Sequence, residues 1–125
     1  MTKYLLIQHY DGGVCDVPMG DWDPADIRAH LDYQRALTDA LIDAGELVDA
    51  QGVAEWVARV TSDGGVTRVR TGPFAERLLA GYRVVDVESQ ARAVEIAARM
   101  SAAPGPAGAP LEQPIEVREV MVAQL

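Results

Sequence analysis

Tyr4 to Tyr10 is a mostly apolar run rich in strand formers, which predicts a central strand covered on both faces. Asp11 to Asp21 carries Gly12, Gly13, Pro18 and Gly20 and reads as a loop. The periodicity then changes. Ile27, Leu31, Leu37, Leu41 and Ala44 form an apolar stripe, and Arg28, Asp32, Arg35, Asp39 and Asp43 form a charged one. Two stripes at helical spacing predict an amphipathic helix from Pro24 to Ala44. Its ends are marked as well. Asp23 suits the N-cap, Pro24 the first helical position and Asp26 the first turn, while Gly45 follows the last periodic residue.

Glu46 to Gln51 reads as a short strand. Glu55 to Thr61 and Val66 to Arg70 flank Ser62-Asp63-Gly64-Gly65, and Asp-Gly favours the positive φ values of a hairpin turn. Gly81 to Val87 is a further strand. Ser89 can cap a second helix running to about Met100, with Val94, Ala97 and Ala98 expected to face inward. Ala102 to Pro110 holds three prolines and two glycines and is a loop, and Ile115 to Val122 is a last strand. This order predicts an α+β fold in one domain, residues 1–125, with two helices on one face of a mainly antiparallel sheet and an added hairpin. The uncovered sheet face then needs a cover, and a second copy stacked sheet to sheet would supply it. A homodimer is the expected assembly.

Composition narrows the function classes. Nineteen acidic residues against eleven basic ones give a net charge of −8, with no basic run to offset it, so nucleic acid is not expected as a partner. The first apolar run is too short to span a bilayer and no small-residue cleavage site follows it, so no membrane or export role is expected. Cys15 is the one cysteine, which excludes an intramolecular disulfide and suits a reducing cytoplasm. Cys15 also lies beside Asp16, an environment that disfavours a thiolate. The chain lacks Gly-x-Ser-x-Gly and Gly-x-Gly-x-x-Gly, so neither a serine nucleophile nor a dinucleotide cofactor is indicated.

Thr71-Gly72-Pro73-Phe74-Ala75-Glu76 followed by Ala80-Gly81-Tyr82-Arg83-Val84-Val85 resembles the central motif of the DGPF group of the YCII-related proteins. Lys3-Tyr4-Leu5-Leu6-Ile7 resembles that family's opening strand, and Glu116-Val117-Arg118 its C-terminal strand. The Gly45-Glu46-Leu47-Val48 helix exit and the helix from Glu88 to Met100 fall where the family places them. The resemblance implies a ferredoxin-like domain that dimerises into an α+β barrel. It also implies a neighbourhood of functions: some relatives are encoded beside alternative sigma factors, and the wider group includes small-molecule enzymes with a proposed His–Asp pair. Here Thr71 replaces the motif's aspartate. Gln34 falls where the histidine is expected and Asp43 where the aspartate is, and a glutamine cannot shuttle a proton.

His30 lies one turn before Gln34, and both fall between Ile27 and Leu37. Polar side chains there need partners or a wet cavity. One reading makes His30 an acid or base in a helix–sheet pocket bordered by Gln34, Phe74, Glu76 and His9. The other has His30 and Gln34 simply bonded to backbone or buried water. Phe74 and Glu76 can equally be turn architecture, and Asp43 is expected on the solvated face. Two histidines at unrelated positions, without close acidic partners, point to no metal. Two functions follow: a dimer that binds or transforms a small organic molecule, or an accessory protein using Trp22, Trp56 or Tyr82 as contact anchors.

Overall fold

Four strands pair into one antiparallel sheet with the spatial order β2-β5-β1-β6. They are β1 (Thr2–His9), β2 (Leu47–Gly52), β5 (Leu79–Val87) and β6 (Ile115–Glu119). Two helices, α1 (Pro24–Asp43) and α2 (Gln90–Ser101), link them, and β3 (Ala58–Asp63) with β4 (Val66–Thr71) forms a separate two-stranded hairpin between β2 and β5. The computed structural model describes residues 1–10, 13–75 and 78–122. With the hairpin set aside, the chain follows the split β-α-β pattern, an α+β fold. Short 3₁₀ turns occupy Met19–Asp21 and Pro106–Gly108, inside segments expected to be loops.

The pairing of β1 with β5 decides which residues are inside. Tyr4 lies opposite Val85 and Leu6 opposite Arg83, so these residues and Val87 share the face that receives the helices. They join Leu37 and Leu41 of α1 and Ala93, Ile96, Ala97 and Met100 of α2 in one core. Leu5, Ile7 and His9 point the other way, together with Tyr82 and Val84 of β5. On that second face the Tyr82 hydroxyl donates to Asp49 Oδ2 at 2.9 Å. Donating that bond to a carboxylate favours the protonated phenol, which raises the Tyr82 pKa above the ordinary tyrosine value.

Both helix ends follow their sequence signals. Gly45 has φ +71°; its N–H donates to Ile42 O at 2.9 Å and that of Glu46 donates to Leu41 O at 2.9 Å, a Schellman closure. Ser89 Oγ accepts from Arg92 N–H at 3.1 Å and caps α2. Asp23 occupies the N-cap of α1 without a side-chain cap bond.

Two patterns need correction. On α2 the inward residues are Ala93, Ile96, Ala97 and Met100, whereas Val94 and Ala98 are exposed. The buried spacing of three, one and three is a single helical face, and Val94 lies off it by 100° from Ala93. On α1, Leu31 is half exposed and Ala44 exposed, because His30, Leu37 and Leu41 make the buried arc. The first hairpin strand begins and ends later than expected, at Ala58–Asp63, since Glu55 to Val57 form the approach to the hairpin, while the second begins at Val66 as expected and ends one residue later, at Thr71.

The exit of α1 is tied to the start of α2 by a forked ion pair. Arg92 Nη2 donates to Glu46 Oε1 at 2.8 Å and Arg92 Nε to Glu46 Oε2 at 2.9 Å. The Glu46 carboxylate is largely shielded, and the guanidinium beside it holds its pKa below the ordinary glutamate value. A depressed folded pKa contributes stability above the unfolded pKa, which is lost as pH falls through the folded value. Glu46→Gln should cost about 1–2 kcal/mol at neutral pH. The difference from wild type should shrink as the pH drops below about 4. Urea unfolding across that range checks both expectations.

Candidate functional site

Among the described residues, His30 and Arg83 are the buried polar side chains. His30 Nδ1 lies 3.0 Å from Pro104 O, a geometry in which Nδ1–H donates to the carbonyl. The ring also meets Trp22 edge to face at 5.7 Å. Trp22 Nε1–H in turn donates to Val17 O at 2.9 Å. His30 therefore joins α1 to the segment after α2 and to the loop before α1.

Arg83 projects from β5 beneath α1. Its Nη2 donates to Gln34 Oε1 at 2.9 Å, Gln34 O at 3.2 Å and Thr38 Oγ1 at 3.2 Å. Its Nε is buried without a hydrogen-bond partner, and burial lowers the pKa from the ordinary arginine value. Neutral acceptors, not a carboxylate, receive this guanidinium. Gln34 thus sits at an arginine contact.

The sequence-expected set does not converge on one place. Gln34 meets Arg83 between α1 and the sheet and His30 lies between α1 and the segment after α2, while His9 ends β1 on the opposite sheet face. Asp43 is exposed at the end of α1. Phe74 lies in a different region, and Glu76 lies outside the described residues.

Phe74 lines an open cleft of about 490 Å³ with Tyr10, Glu55, Trp56, Val57, Gly72, Pro73 and Leu78. Three segments meet there. The Tyr10 N–H donates to Leu78 O at 3.0 Å and joins the end of β1 to the approach of β5. The Tyr10 hydroxyl donates to Val53 O, and Val53 N–H donates to Ala80 O at 2.9 Å. The Gly72 N–H donates to Val57 O at 3.1 Å and closes the root of the hairpin. A Cβ at Gly72 would stand 3.2 Å from Val57 Cγ1 and 3.5 Å from the Phe74 ring, so glycine permits this approach. The Gly72–Pro73 peptide is cis.

The Arg59 guanidinium lies 3.9 Å from the Phe74 ring centroid and that of Arg70 lies 5.4 Å from it. Trp56 is 77% exposed. Core packing does not account for an indole so exposed at the mouth of the cleft. Among the described residues, no three His, Cys, Asp or Glu side chains converge as a metal-ligand set. No described helix is long and apolar enough to cross a membrane.

The model of the YCII-related domain family matches residues 2–112. The chain belongs to the YCII-related family. A search of curated proteins gives no significant match. Within this YCII-related domain, the position where a catalytic histidine was expected holds Gln34, whose side chain receives Arg83.

The polar interior can be tested through Gln34. Gln34→Leu removes one of three acceptors from a buried guanidinium and should cost about 1–3 kcal/mol. Gln34→Leu combined with Arg83→Met removes the charge together with its acceptor and should recover most of that loss. Urea-unfolding free energies of the two singles and the double check the expectation; a double variant as unstable as the sum of the singles would contradict it.

Proposed function

We propose that this protein binds a small organic molecule in the cleft bounded by Tyr10, Trp56 and Phe74, and that it does so as a homodimer in the cytoplasm. The observation that carries this reading is the cleft itself: about 490 Å³, walled mainly by aromatic and apolar side chains. That size and lining suit a ligand of modest size with an apolar or aromatic body. Glu55 is the one charged group among its described lining residues, and it can orient a donor on the ligand. The dimer is supported by the sheet face bearing the half-buried Leu5, Tyr82 and Val84, on which neither helix packs. Sheet stacking into an α+β barrel would cover it. Gly72-Pro73-Phe74 supports placing the chain in the DGPF group of its family.

His30 is the weaker part of the expected site. Its Nδ1 bond to Pro104 O and its burial against Trp22 support a structural role. The ligand-binding reading rests on the cleft and not on His30.

A thermal-shift screen of small organic acids and aromatic metabolites tests the reading. A ligand at a hundred times its dissociation constant stabilises the fold by about 2.7 kcal/mol, a shift of several degrees for a domain of this size. Trp56→Ala should abolish that shift while leaving the unliganded melting temperature within about 2 °C, because the side chain is exposed. An unchanged shift in Trp56→Ala would place any binding elsewhere.

A further inference from the structure

β6 is an edge of the four-stranded sheet, paired with β1 on one side and, among the described residues, with no strand on the other. β2 forms the opposite edge, where the ladder to β5 is irregular between Leu47 and Asp49. Such an irregularity hinders the addition of a further strand. β6 has none: Ile115 to Glu119 pair with Gln8 to Tyr4 in one continuous register, and no proline interrupts them. Apolar chain follows β6 directly, with Val120, Met121 and Val122 exposed to 39%, 77% and 88%.

The ladder to β1 fixes which backbone groups of β6 are free. Val120 N–H donates to Lys3 O at 2.9 Å, so these two residues form a hydrogen-bonded pair of the antiparallel ladder. Bonded and non-bonded pairs alternate, so Glu116 and Arg118 also turn their N–H and C=O groups toward β1. Ile115, Val117 and Glu119 turn theirs to the open edge. An antiparallel strand added there must set these residues against outward-turned residues of its own. Two copies of β6 related by a two-fold axis meet that condition, with at least three residues paired, when the axis passes through residue 116, 117 or 118. An axis at Glu116 sets two glutamates face to face, and one at Arg118 sets two arginines face to face, which is unfavourable. The axis at Val117 pairs all five residues and sets Glu116 of each copy against Arg118 of the other. Both side chains are exposed, and among the described residues neither has an ion pair within its own chain.

We infer that β6 is an interface between two copies of this chain, paired antiparallel about Val117. Main-chain bonds at Ile115, Val117 and Glu119 and the reciprocal Glu116–Arg118 pairs hold it. The two sheets then run on as one, with the helices of both copies on the same side. The other face stays open, so this contact is distinct from the sheet stacking proposed above, and the two together would build a tetramer. A ribbon of five residues is a small interface, so the contact taken alone is expected to dissociate in the micromolar range or weaker.

Amide hydrogen exchange of the wild type, at concentrations below and above the midpoint of association found by sedimentation equilibrium, tests the inference. The amides of Ile115, Val117 and Glu119 should slow by about tenfold or more as copies associate. E116R and R118E should each raise the dissociation constant about tenfold, since each sets like charges opposite in two places. E116R/R118E exchanges the charges and should restore the wild-type value. Both positions are exposed, so thermal unfolding of the monomer should hardly change. A dimer in which those three amides exchange as fast as in the monomer would overturn the edge contact and leave sheet stacking standing. A double variant as weak as the singles would overturn the pairing about Val117. A wild type that stays monomeric at high micromolar concentration would overturn the edge contact and the proposed dimer together.

Discussion

The antiparallel register of β1 against β5 is the constraint on which the other features depend. Side chains alternate along a strand, so one register sends Tyr4, Leu6, Val85 and Val87 to the helices and Leu5, Ile7, Tyr82 and Val84 to the opposite face. A slip of one residue would exchange these sets. It would expose the core and bury Tyr82 with its Asp49 partner. The same register places Arg83 inside, because it shares parity with Val85 and Val87, and it brings Tyr10 beside Leu78 at the cleft.

Arg83 gives the interior a specificity that apolar packing alone lacks. A buried guanidinium with neutral acceptors is held only if the acceptors stand in the right places. Gln34 and Thr38 are one helical turn apart and meet it together. With His30 bonded to the Pro104 carbonyl, three polar contacts along α1 fix its rotation and height over the sheet. The polar pair on this helix that suggested a pocket in the sequence is satisfied by the protein's own groups.

Local signals carried much of the architecture. Gly45 after a periodic segment, Ser89 before another and Asp63-Gly64 between β-rich runs each placed an element end through backbone chemistry that acts within a few residues. The inward side of α2 was misjudged because alanines dominate it and give periodicity little contrast. The cleft was not legible. Tyr10, Trp56 and Phe74 are far apart in sequence and meet only through β1–β5 pairing and closure of the hairpin root. Arg83 carried a usable signal, its parity with Val85 and Val87 in a strand whose inward face those valines mark.

In the function proposed above, the cleft at the root of the β3–β4 hairpin, not the space under α1, receives the ligand. Amide chemical-shift mapping with a stabilising small molecule tests this most directly, since it reports position residue by residue. Perturbations are expected at Tyr10, at residues 55–57 and 72–74 and at Leu78, with His30 and Gln34 little changed. Perturbations centred on His30, Gln34 and Thr38 would contradict it and return the site to the helix–sheet interior.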